Sequence, residues 1–298
     1  MPQPLSPLRL WGSIAGALTG FAANSLLTRA AVRGHLSDAV TFSEIRLASG
    51  ALVLLAMSLW QRPGIATAIR PPGIDTWIGA AALAAYAFAF AFAYERIDAS
   101  VGALVLFGGV QITMLGWSII SGERPAALEW VGLALALLGL AVLARPGRAA
   151  PDLPGALLMA AAGCAWGVYS LRGRGAGSAL LRTASSFLWA AVAGVLAVAL
   201  STRIVLTTEC VLLATMSGAV ASGLGYILWY GALPSLSAFR AALLQLMVPV
   251  LTAAAAVPLL GEHLSLRFVT AGALIVGGIG IAVAGHPRVA VDRSQGAR

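Results

Sequence analysis

Ten unbroken apolar runs, each close to the ~20 residues that a helix needs to cross ~30 Å of hydrocarbon, constrain this chain more than any other feature. They lie near 11–30, 39–60, 74–95, 100–121 and 128–144, then near 154–171, 185–201, 208–231, 236–260 and 266–285. Arg, Pro, Gly or acidic clusters separate them, as in QRPGIATAIRPPG, SGERP and RGRGAGS. Lipid offers no partner to a backbone N–H or C=O, so only helices and closed barrels span it. A barrel strand would alternate polarity over ~10 residues, whereas these runs are continuous Ala, Leu, Val and Gly. The sequence therefore predicts an all-α integral membrane protein with ten transmembrane helices and no separate soluble domain.

Charge agrees with that reading. Only 10% of the 298 residues are charged, against about 25% in soluble domains. There is no lysine, and all nineteen basic residues are arginine. The net charge of +8 does not point to nucleic acid, because the arginines are scattered singly through the loops with no basic helix face. With the N-terminus inside, eleven arginines fall on the inner side and seven on the outer, with Arg46 inside a span. By the positive-inside rule this places both termini in the cytoplasm of an inner-membrane protein. Cys164 and Cys210 sit in apolar runs without metal-type spacing, so small core residues are expected, not a disulfide or a metal site. The N-terminal run shows no marked cleavage site and reads as a retained first helix.

The runs form two sets of five. A shift of 139 residues places Ala99 on Ala238, Thr113 on Thr252, Gly122 on Gly261, Glu123 on Glu262 and Gly139 on Gly278. Residues 1–148 and 149–298 thus read as two repeats. Five is odd, so homologous halves insert with opposite topology, and a pseudo-twofold axis lies in the membrane plane. Small residues at four-residue spacing, Gly12, Gly16 and Gly20, and Gly218 with Ser222, read as tight helix-packing positions.

Within such runs, ionisable and polar residues stand out. A charge in the bilayer costs roughly 2.5 kcal/mol or more, which singles out Glu44 and Arg46 in the second run. Glu44 is a candidate gating or proton-coupling acid. Arg46 is a candidate partner for a substrate carboxylate or for an acid on another helix. Two residues apart, they do not face one another, and each stands close enough to the run's start to snorkel to water instead. Tyr86 and Phe90 share a helix face at i, i+4 and offer an apolar cavity wall with a hydroxyl; Tyr94, next on that face, suits packing at the span end. Asn24, Trp166, Tyr169 and Gln245 are polar or amphipathic groups deep in apolar runs, suited to a substrate's polar ends or to bonds between helices. Trp117, Trp189 and Trp229 suit packing or interfaces. Pro249 and Pro258 are candidate kinks in the ninth run. Glu123 and Glu262 read as turn residues, and His35, His263 and His286 fall at span ends or loops.

These residues resemble a known family, the drug/metabolite transporter superfamily in its ten-helix EamA-type branch, over essentially residues 10–285. The segment QLMVPVLTAAAAVPLLGE (Gln245–Glu262) is similar to the family's proline followed by a Gly-Glu end. Arg46 in EIRLASGALVLL resembles its helix-two arginine, and Trp166–Tyr169 (WGVY) resembles its helix-six Trp-x-x-Tyr. The first half departs from the pattern, with Val110 where Pro249 stands in the second. Within the branch the chain looks most like the YddG-type amino-acid exporters. The resemblance implies a secondary transporter, not an enzyme, that exports amino acids or similar small metabolites by alternating access, with lipid and protons as its other partners. A drug or other metabolite exporter of the same fold is the near alternative, and an intramembrane lipid-modifying enzyme a distant one that would require clustered His, Asp or Glu. No G-x-x-x-x-G-K-[ST] loop occurs, so no ATP drive, and no cofactor, is expected.

Overall fold

The computed structural model describes residues 6–61, 73–97, 99–122, 125–144, 152–172, 179–260 and 266–284. Among these residues the chain forms ten helical spans. They are α1 (Pro7–Arg33), α2 (Ala39–Gln61), α3 (Ile74–Arg96), α4 (Ala99–Ile120), α5 (Ala127–Ala144), α6 (Leu153–Arg172), α7 (Ala179–Leu200), α8 (208–232), α9 (238–260) and α10 (Leu266–Ala284). Six elements are long and apolar enough to cross a membrane, and four shorter apolar helices accompany them. The only β-type pairing among the described residues is an isolated bridge between Ser37 and Leu206.

Two ends differ from the apolar runs. The first helix extends past its run at both ends and takes in Arg9 and Arg33. Helix α7 begins at Ala179, six residues before its run. Its extra turns carry Arg182, whose side chain lines a cavity instead of facing lipid, so apolarity alone misses them.

Two spans depart from regular winding. Helix α9 breaks at Leu246, between Ala238–Gln245 and Met247–Leu260. Pro249 has no N–H to give the Gln245 carbonyl and its ring crowds that carbonyl, which places the break there. Helix α4, with Val110 at the matching position, runs unbroken. Helix α8 passes through a π-helical stretch, Met216–Leu224.

Glycines set the closest approaches. A Cβ on Gly132 would stand 2.3 Å from the Gly278 carbonyl oxygen, and one on Gly139 2.7 Å from that of Ala271. These contacts run in opposite order along the two helices, so α5 and α10 are antiparallel. The 139-residue shift carries Gly132 onto Ala271 and Gly139 onto Gly278, so each contact is the twofold image of the other. Helices α2 and α7 are antiparallel in the same way, with Glu44 against Gly194 and Gly50 against Phe187. Other pairings follow the exchange: α3 packs on α6 as α8 does on α1, α4 on α6 as α9 on α1, and α2 on α8 as α7 on α3. Gly16 and Gly20 pack against α8, and Gly218 packs against the Arg46 carbonyl, whereas Gly12 meets nothing within 4 Å. Of the cysteines, Cys210 is buried as expected, but Cys164 is exposed. Glu123, Glu262, His263, His286 and the loop arginines Arg62, Arg70, Arg124, Arg145, Arg148, Arg174, Arg288, Arg293 and Arg298 lie outside the described residues.

Candidate functional site

At the crossing of α1, α2, α3 and α8, the guanidinium of Arg46 is almost fully buried, at 2% exposure. It does not snorkel. Its Nε donates to Ser222 Oγ at 3.3 Å and an Nη to Tyr86 Oη at 3.0 Å. The cation also lies over two rings, 5.0 Å from the Tyr86 centroid and 5.5 Å from that of Phe90. Such cation–π contacts strengthen once water is excluded. Among the described residues no carboxylate pairs with Arg46. Because Tyr86 accepts from Arg46, its own hydroxyl hydrogen is available to another acceptor.

Asn24 braces this arrangement from α1. Its Nδ2 donates to Ser222 Oγ at 3.1 Å, and its Oδ1 accepts from Ser217 Oγ at 2.6 Å. Residues five apart fall on different faces of an α-helix. The i→i+5 bonding of the π stretch brings Ser217 and Ser222 onto one face, so both reach Asn24.

An aromatic column leads from Arg46 toward the end of the molecule at which α1 begins. Tyr86 packs 5.3 Å from Trp166, Trp166 stacks 5.0 Å from Tyr226, and Tyr226 lies 6.0 Å from Tyr169. Trp166 Nε1 donates to Gln245 Oε1 at 2.6 Å, and Gln245 Nε2 donates to the Ala241 carbonyl at 3.3 Å. The structure therefore brings Asn24, Arg46, Tyr86, Phe90, Trp166, Tyr169 and Gln245 into one continuous centre. Tyr94 is buried within the helix packing, edge-on to Phe90 at 4.6 Å. Trp229 is buried, Trp189 packs on Trp77, and Trp117 is exposed.

Glu44 stands apart. Its carboxylate lies in the α2–α7 seam against Gly194, with Phe88 nearby and Oε2 unpartnered. Residues absent from the sequence reading also take part. Gln111, mid-way along α4, is buried and donates to the Ala242 carbonyl at 2.7 Å; an amide within an apolar run is the same signal that marks Gln245. Ser217 and Tyr226 complete the centre and carry no signal of charge or 3.6-residue spacing, and Ser222, expected only as a packing position, joins them as a hydrogen-bonding group.

Space is unevenly distributed. The chamber bounded by Phe21, Ser25, Tyr86, Phe90 and Trp166 measures about 10 Å³, about the lower limit for one water. A vestibule of about 450 Å³ opens where α3 and α7 begin and α6 and α8 end, lined by Tyr169, Arg182, Thr183, Ser186 and Tyr230. Arg172 and Asp75 form an ion pair among its lining residues. At the opposite end lies a basin of about 830 Å³ that includes Arg33, His35, Asp38, Glu95 and Arg203. There the α1–α2 and α7–α8 connections are stitched together. Asp38 accepts from the Thr41 N–H at 2.8 Å and the Val205 N–H at 2.7 Å, and Thr207 Oγ1 donates to the Leu36 carbonyl at 2.8 Å. Burial pushes the Asp38 carboxyl up, but these hydrogen bonds outweigh it and hold the group below its ordinary value of 3.8.

Apolar helices gathered around a buried polar and aromatic centre define a multi-pass helical membrane protein. Residues 153–284 match the profile of the EamA-like transporter family. The chain is 46% identical over 283 residues to "Uncharacterized protein PA1977" of Pseudomonas aeruginosa, covering 94% of this chain and 96% of that protein. A solved crystal structure matches the fold with a TM-score of 0.73 at 22% identity, over 93% of this chain and 96% of the other. Residues 153–284 thus form an EamA-like transporter domain, which supports the function of a membrane transporter.

Proposed function

We propose that this transporter exports amino acids or similar small amphipathic carboxylates across the inner membrane by alternating access, with both termini cytoplasmic. One observation carries the reading: Arg46, buried among aromatic rings, has no carboxylate partner among the described residues. A buried cation costs free energy unless an anion balances it, and a solute carboxylate supplies that anion. Tyr86 Oη can donate to the same carboxylate, while Phe90 and Trp166 offer faces to an apolar or aromatic body. A cationic drug would meet the Arg46 charge, which disfavours that alternative. Twofold exchange of the halves gives two related conformations about the centre, as alternating access requires. Glu44, in the seam between the exchanging helices α2 and α7, is the proposed proton-coupling or gating acid.

The test is uptake and counterflow in proteoliposomes across labelled amino acids, their amides, sugars and cationic drugs, with and without a pH gradient. Flux is expected for amino acids and not for their amides. An absence of amino-acid flux sinks the substrate assignment. Glu44→Gln is expected to abolish the pH-gradient dependence, and a variant that retains it removes Glu44 from coupling.

A further inference from the structure

The chamber beside Tyr86 and Phe90, the rings that Arg46 overlies, is too small at about 10 Å³ to admit a solute in this conformation, whereas the vestibule measures about 450 Å³, within the range of small-ligand sites. The vestibule is also furnished with polar groups. Tyr169 is 3% exposed yet lines this cavity, its hydroxyl close to those of Thr183, Ser186 and Tyr230. Each hydroxyl of this cluster carries a hydrogen that can be given to a bound acceptor. Arg182 lines the same cavity as Tyr169 and Tyr230, and Thr183 and Ser186, one and four residues along its helix, line it too. Asp75 and Arg172, which also line the vestibule, pair with each other.

We infer that the vestibule is a docking station for the carboxylate of an incoming solute, held by Arg182 and the Tyr169 hydroxyl, before the solute moves to Arg46. This rests on the carboxylate reading above and adds a second site to it. Tyr169 is both the inner wall of the vestibule and the first ring of the column through Tyr226 and Trp166 to Tyr86. A solute held at Arg182 thus has its apolar body against the column. Opening of the column passes the carboxylate from one guanidinium to the other. No covalent step is involved.

The test uses the purified full chain with phenylacetate as probe and phenylacetamide as its uncharged counterpart, by equilibrium dialysis in detergent. Tyr169→Phe removes only the hydroxyl and keeps the ring in the aromatic packing, so its fold is expected to survive, checked by a monodisperse elution profile. Both Tyr169→Phe and Arg182→Gln are expected to weaken phenylacetate binding about tenfold or more, Arg182→Lys to restore part of it, and phenylacetamide binding to be the same in all. Wild-type binding that is absent at millimolar probe, or unchanged in both variants, overturns the station. In sidedness-controlled vesicles, Arg182→Gln is expected to raise the half-saturation concentration for entry from the side where α1 begins, with entry from the other side near wild type. An equal rise from both sides assigns Arg182 to the central site and overturns the station. Failure of wild-type amino-acid flux with variant-sensitive phenylacetate binding would instead sink the export reading and leave the station standing.

Discussion

Trp166 donates its indole N–H to the Gln245 carboxamide oxygen at 2.6 Å, and this bond ties α6 to the break in α9. Both groups are buried, so neither has water to fall back on. Gln245→Leu is expected to lower stability by about 1–2 kcal/mol, the range for bonds between helices in lipid. Thermal unfolding in detergent measures this. Gln245→Glu, which keeps an acceptor for the indole, is expected to retain more stability than the leucine variant.

Arg46 contributes a charge, a planar face over two rings and separate donors to Ser222 and Tyr86. Lysine keeps the charge and loses the planar fork. Arg46→Lys is expected to reduce kcat/KM for amino-acid flux about tenfold, and Arg46→Gln by more, in proteoliposomes. Equal flux in wild type and Arg46→Gln would remove this residue from recognition.

Gly218 permits the approach of α8 to α2: a Cβ there would stand 2.1 Å from the Arg46 carbonyl oxygen. Gly218→Ala is expected to force the helices apart at a cost of about 1–3 kcal/mol, read as a lower melting temperature. Gly12→Ala, with nothing within 4 Å, serves as the control and is expected to melt like wild type.

The helices were legible because the bilayer leaves a hydrophobic stretch few alternatives. Polar residues in those stretches were legible for the same reason, since Asn24, Arg46 and Gln245 must find partners away from lipid. The partners themselves were not. Ser217 and Ser222 become neighbours only through π winding, which no 3.6-residue pattern announces. Arg182 lay in a segment too polar to read as a span, although a cavity receives its side chain. Cys164 and Gly12 show the limit in the other direction, since an apolar run does not say which of its faces meets another helix.

Asp38 offers a test by pH. Its carboxyl is held below 3.8, so the stitch to Thr41 and Val205 is fully present above that value and is lost as pH falls through the lower, folded value. Cys210, buried beside it with its sulfur 2.9 Å from Ser37 Oγ, is a native reporter. In a Cys164→Ser background, Asp38→Ala is expected to speed maleimide labelling of Cys210 severalfold at neutral pH. Labelling as slow as in the parent would show that Asp38 does not hold this end closed.

The antiparallel contacts of Gly132 with Gly278 and of Gly139 with Ala271 belong to a wider pattern in which the most extensive helix pairings join one repeat to the other. Neither half therefore encloses its own polar residues: α2 brings Arg46, and α8 brings the serines that bond it and its brace Asn24. A chain divided between α5 and α6 should yield two fragments that are each unstable in the membrane alone and recover function when produced together. Each repeat is, in effect, the other's interior.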